Sequence, residues 1–198
     1  MKRKQYLGFT LIELLVAMAV FAILVTVGVP AMKSFMRDNR LVSQTNELVG
    51  ALNAARSEAV RRGVNVTVCS STDEATCSGT NSWATGWIAF ADLDGNIAIN
   101  GSDAMIRVHG PVGGGNTITS QGFDVTTATA VNTSYVQYNS RGNINGLPQT
   151  FAICDTQPGN DKRARGVNVL PMGVVALAKD TSNDGIVNNV ASQNVTCP

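Results

Sequence analysis

Glu13 is a carboxylate in a place where a carboxylate is costly. It lies inside the apolar run Gly8–Pro30, which the basic cluster Lys2-Arg3-Lys4 precedes. An acid held in hydrocarbon costs roughly 2.5–3.5 kcal/mol unless it is neutralised or paired, so Glu13 calls for a partner. The other reactive residue types lie far along the chain. Cys69, Cys77, Cys154 and Cys197 all follow the apolar run. An even count in an oxidising compartment favours two disulfides, and four cysteines allow three pairings. Cys69–Cys77, closing a short polar loop, and Cys154–Cys197, pinning the tail to a strand, are the favoured pairs. Lys162, Arg163 and Arg165 form a basic loop of a kind that contacts phosphates, with Arg141 placed nearby.

Two acidic stretches invite a calcium reading. Asp92-Leu93-Asp94-Gly95-Asn96 runs on to Asp103, and Asp180–Gly185 alternates oxygen-bearing side chains. The glycine of the first comes too early for an EF-hand loop, and the second lacks the terminal acid. Tight-turn chemistry accounts for Asp-Gly in both, so no metal is assigned. Zinc is disfavoured by the absence of a C-x-x-C pair and by a single histidine, His109. No nucleophile motif is present, and Gly113-Gly114-Gly115 lacks the lysine and helix of a phosphate loop. The expectation is a non-enzymatic chain with no catalytic residue and no cofactor.

The elements that must position these residues are legible from periodicity. From Phe9 to Ala31 a helix spans roughly 30 Å, about one hydrocarbon core. The basic cluster before it favours a cytoplasmic N-terminus, with everything after Pro30 exported. A cleaved secretory signal is also basic and then apolar. Two details disfavour it here: the acid within the run, and a helical pattern that resumes after Val27-Gly28-Val29-Pro30 with no clean break. Leu41, Thr45, Leu48, Leu52, Ala55 and Ala59 then recur at spacings of four and three, forming one apolar stripe. Arg61 and Arg62 suit the negative helix end, and Gly63 follows as its stop. The prediction is one helix from about Phe9 to Arg62, kinked or locally melted at Pro30 but not ended there.

Beyond Gly63 the pattern changes to short strands. Candidates are Val64–Val68, Gly86–Ala91, Ala104–Val108, Ser134–Tyr138, Thr150–Cys154 and Gly166–Leu170. Val174–Leu177 returns as a hairpin partner across Pro171-Met172-Gly173. A sheet covering the helix stripe gives an α+β head. The chain has 198 residues, a net charge of +1 and only 15% charged residues, so bulk charge does not mark a nucleic-acid binder. One membrane helix and one domain are the simplest partition.

The residues Gly8-Phe9-Thr10-Leu11-Ile12-Glu13 resemble the class III leader of type IV pilins and pseudopilins. The resemblance implies that a membrane-embedded prepilin peptidase cuts after Gly8 and that Phe9 is methylated. It also implies that Glu13 meets the freed amine of Phe9 on a neighbouring subunit during assembly. Residues 1–8 are then the leader, 9–31 the membrane and assembly half of the long helix, 32–62 its amphipathic half and 63–198 the β-rich head. This is the lollipop plan of the pilins: a long N-terminal helix packed on a small antiparallel sheet. The implied location is the inner membrane, single-pass with a periplasmic head, and then a pilus or pseudopilus.

Leu52-Asn53-Ala54-Ala55-Arg56-Ser57-Glu58-Ala59-Val60-Arg61-Arg62, Gly86-Trp87 and Phe90-Ala91-Asp92 resemble the GspH/FimT family. The resemblance implies a minor subunit that joins, and helps initiate or cap, a type IV pilus, with other minor and major pilins as partners. The family's alternatives are a minor pseudopilin of type II secretion and a DNA-binding minor pilin. DNA-binding members carry a G-R-x-R turn between late strands. The matching place here reads Gly173-Val174-Val175-Ala176, without either arginine, so nucleic acid ranks last among the implied partners. From spacing alone, Glu58 and Arg62 form a solvated i,i+4 pair.

Overall fold

A computed structural model describes residues 9–124, 126–155 and 161–198. Among the described residues, one helix, α1 (Leu11–Arg62), is followed by nine strands: β1 (Asn65–Ser70), β2 (Trp87–Asp92), β3 (Ala104–His109), β4 (Thr117–Asp124), β5 (Thr129–Asn132), β6 (Tyr135–Tyr138), β7 (Gln149–Cys154), β8 (Arg165–Val169) and β9 (Val175–Leu177). Short 3-10 turns lie at Trp83–Thr85, Gly113–Gly115 and Asp161–Arg163. The chain forms two compact units, residues 1–39 and 40–198.

In the first unit, every described residue up to Lys33 is exposed, among them Phe9, Leu11, Ile12, Phe21, Ile23 and Leu24. Helix α1 runs on through Pro30, which does not end it, as the resumed periodicity predicts. A proline removes only one i→i−4 bond, here to the carbonyl of Thr26, and the neighbouring turns retain theirs.

The second unit is built on the rest of the helix. All six stripe residues, Leu41 to Ala59, are buried, together with Gln44 and Ala51. Strands β3-β2-β1-β6 make one antiparallel sheet and β5-β4-β7-β8-β9 a second. The single sheet expected from the sequence is therefore two. The unpredicted pair β4 and β5 accounts for part of the second sheet, with Thr117–Gly122 pairing with Gln149–Cys154 of β7. Leu48, Leu52 and Ala55 join Val66 and Val136 of one sheet and Phe151, Ile153 and Val167 of the other in a single core. Trp83 packs edge-on against Phe151, with ring centroids 4.8 Å apart.

β2 and β7 are buried along their whole length, so each needs cover on its outer face. The two disulfides lie at those covers. Cys69–Cys77 joins Ile88, Phe90, Ile99 and Tyr135 over the first sheet. Cys154–Cys197 joins Ala152, Ala164, Val187 and Val195 over the second, closing a 43-residue separation. Both bonds follow the pairing favoured from the sequence.

Candidate functional site

At the start of α1, Thr10 and Glu13 exchange hydrogen bonds. The Thr10 amide and hydroxyl donate to Glu13 Oε2 at 3.0 and 2.9 Å, and the Glu13 amide donates to Thr10 Oγ1 at 3.3 Å. This is a capping box: a threonine just before the helix and an acid three residues on satisfy each other's free backbone donors. The T-x-x-E spacing of Thr10 and Glu13 carries that signal in the sequence itself. Glu13 thus has a local partner, and both bonds end on Oε2. Phe9 stands beside it, 92% exposed, while Gly8 lies outside the described residues.

In the second unit, the three basic residues singled out as phosphate contacts sit on the turn before β8 and at its start. Lys162 is exposed, Arg163 is half-buried on the 3-10 turn Asp161–Arg163, and Arg165 is exposed at the first residue of β8. Gly159 and Asn160, which precede them, lie outside the described residues. Arg141 is not nearby. It sits on the turn 139–143, where Ile144 N–H donates to the Pro171 carbonyl at 3.1 Å. That turn therefore packs at the Leu170–Val174 end of β8, about 17 Å along the strand from Arg165. Sequence proximity to other arginines gave no hint of this, because the separation is set by strand direction.

The Leu170–Val174 turn has its own cation, supplied by the helix. Arg56 Nε donates to the Gly142 carbonyl at 2.9 Å and Arg56 Nη2 to the Met172 carbonyl at 3.0 Å. One guanidinium thus joins α1 to two loops that are 86 and 116 residues away in sequence. Gly173 adopts φ +72°, and a Cβ there would collide with the Gly142 carbonyl, so glycine is required by both conformation and space. Glu58 pairs with both Arg61 and Arg62, at 2.5 and 2.6 Å, so the predicted i,i+4 pair is in fact a three-residue cluster. Hydrogen bonds first from Arg61 and then from Arg62 pull the Glu58 carboxyl down to about 2.

His109 stacks on Trp87 at 3.8 Å. Both its ring nitrogens are engaged, one with the Gly110 carbonyl and one with Glu47 Oε2 at 3.2 Å. The acidic stretches differ from each other. Asp180 is surrounded by amides of its own loop, from Ser182, Asn183 and Gly185, which is turn chemistry. Asp92, Asp94 and Asp103 instead bring one carboxylate oxygen each to within 4.8 Å of the others.

Comparison with known proteins joins the two units. The family model described as type II transport protein GspH matches residues 44–173, and the prokaryotic N-terminal methylation motif matches residues 3–29. Among solved structures, the type IV minor pilin FimU of Pseudomonas aeruginosa aligns at 22% identity and a TM-score of 0.53, covering 73% of this chain and 92% of its own. The minor pseudopilin EpsH of the Vibrio cholerae type 2 secretion system aligns at 11% identity and a TM-score of 0.48, covering 72% and 99%. No curated protein matches the sequence. The FimU likeness bears on fold: a long apolar helix followed by antiparallel sheets, the pilin-like α+β arrangement. The family match extends from the buried helix stripe to the Gly173 turn, well over half of the chain, and makes this protein a member of the GspH family of pilin-like proteins.

Proposed function

We propose that this chain is a minor, non-catalytic subunit of a type IV pilus, held in the inner membrane as a prepilin with its head in the periplasm. Residues 1–8 are the leader, cleaved between Gly8 and Phe9. Residues 9–31 span the membrane and later pack among neighbouring helices, residues 32–62 carry the head, and residues 63–198 form its remainder. The observation that carries the reading is the methylation motif at residues 3–29 on the same chain as the family region 44–173. The wholly exposed apolar surface of residues 9–33 supports it. Burying a large apolar side chain gains about 1.5–3 kcal/mol, so this surface calls for lipid or for other helices. Subunits that associate head to tail through such a surface generate helical filaments.

Glu13 has two tasks in this account. Oε2 caps the helix through Thr10, and Oε1 receives the amine of Phe9 from a neighbouring subunit. Glu13→Gln separates them, since glutamine retains a capping acceptor but not the charge. In sheared filament fractions, the wild-type chain is expected, while Glu13→Gln and Glu13→Ala are processed but depleted. Equal recovery of Glu13→Gln overturns the charge-pairing role. The family description, type II transport protein, favours a second reading as a minor pseudopilin. Deleting the gene decides between them: lost surface piliation with intact secretion supports the pilus, and the reverse supports the secretion system.

A further inference from the structure

The connection between β2 and β3 gathers three carboxylates at one point. Asp92, the last residue of β2, is fully buried; Asp94 is exposed and Asp103 half-buried. One oxygen from each lies within 4.8 Å of those from the other two. Their hydrogen bonds are unevenly shared. Asp92 Oδ2 accepts from Thr67 Oγ1 at 2.7 Å, Gln137 Nε2 at 2.8 Å and the Ile97 amide at 3.1 Å. Asp92 Oδ1 is also buried and, among the described residues, meets no donor. Asp103 accepts the Leu93 and Asn100 amides, and Asp94 accepts the amide and side chain of Asn96. Among the described residues, none of the three forms a salt bridge. Three anions this close repel one another, and a buried carboxylate oxygen without a partner is costly. A single hard cation relieves both penalties.

We propose that this loop binds one Ca²⁺ through Asp92 Oδ1, Asp94 and Asp103. The donors are all oxygens, which selects a hard divalent ion. Oxygens bound to one calcium at about 2.3–2.6 Å can lie no more than about 5 Å apart, and the three carboxylates meet that limit. Magnesium requires near-ideal octahedral ligands at about 2.0–2.1 Å and releases its water reluctantly, whereas the exposed side of this loop leaves room for calcium's variable shell of waters and carbonyls. The ion fastens the 93–103 loop to the end of β2. Ile99 of that loop packs over Ile88 and Phe90, so binding also secures the outer cover of the first sheet. The proposal does not depend on which filament the chain enters.

The test uses the full chain in detergent micelles, stripped with chelator and dialysed against ⁴⁵Ca²⁺. One ion per chain is expected, with half-saturation at roughly 0.1–1 mM, the range of extracellular calcium modules. Asp94→Asn and Asp103→Asn should each weaken binding by about tenfold or more, since affinity follows the ligand charge count. Both should keep the wild-type near-ultraviolet circular dichroism in chelator, which shows that the head still folds. These two variants are preferred to Asp92→Asn, whose Oδ2 also holds three internal hydrogen bonds. No binding up to about 10 mM calcium, wild-type binding by both variants, or magnesium binding as tightly as calcium would each overturn the assignment.

Discussion

Replacing Arg56 with alanine should be among the most damaging single changes to a partly exposed side chain of the head. Arg56 is half-buried on α1 and donates two charged hydrogen bonds to the backbone of two distant turns. A hydrogen bond from a charged group is worth about 1.5–3 kcal/mol when it is shielded, and less in water. The Gly142 carbonyl belongs to a buried residue, so that bond takes the larger figure and the exposed Met172 bond the smaller. Together they give a loss of about 2–3 kcal/mol for Arg56→Ala, including the desolvated carbonyl left behind. Both tryptophans, Trp83 and Trp87, are buried in the head and report its unfolding by fluorescence or near-ultraviolet circular dichroism. With a urea dependence of about 2 kcal/mol per molar, the midpoint should fall by about 1 M at unchanged slope. Arg56→Lys should recover less than half, because an ammonium is a point charge and does not span two carbonyls as the guanidinium fork does. A loss below about 0.5 kcal/mol, or full recovery by lysine, would refute the reasoning.

Three further outcomes are expected. Replacing both cysteines of Cys154–Cys197 with serine should cost about 4 kcal/mol by loop-closure entropy, against about 2.5 kcal/mol for Cys69–Cys77, because the closed loops span 43 and 8 residues. Thermal melting of each variant checks the order, which a larger loss at Cys69–Cys77 would contradict. Gly173→Ala should destabilise the head by about 2 kcal/mol or more, since it adds left-handed strain to a collision with the Gly142 carbonyl; an unchanged melting temperature would contradict this. The Glu58 carboxyl is held below its ordinary value of 4.5, at about 2, so its folded form favours the ionised state. The Glu58 cluster therefore contributes fully above about pH 4.5 and loses its contribution as pH falls toward 2. Side-chain carboxyl resonances followed by NMR should show that low midpoint, and a titration at the ordinary value would argue against the paired geometry.

The helix and its buried stripe were readable because a period of 3–4 residues over Leu41–Ala59 has few alternative explanations. Disulfide pairing was readable because short separation and a late cysteine narrowed the choice. β4 was not, for a physical reason. Its two large apolar residues, Ile118 and Phe123, fall on opposite parity, and Gly122 interrupts the run. Its buried centre is instead Ser120, bonded to Asn81, Thr133 and Gln149, and polar burial leaves no alternation to detect. The same limit applies to Arg56, whose partners lie on turns brought to it only by the finished sheet. The capping role of Thr10 and Glu13 is written in their T-x-x-E spacing, a signal separate from the cost of placing an acid in hydrocarbon. The convergence of Asp103 on Asp92 and Asp94 depends on the path of an eleven-residue connection that matches no standard loop pattern.

The central claim is that this chain becomes a filament subunit after release of its leader. Its most direct test is mass spectrometry of the N-terminal peptide from the chain recovered in sheared filaments. The account predicts a peptide that begins at Phe9 and carries one added methyl group. An intact Met1 terminus, or one starting at any other residue, would contradict it.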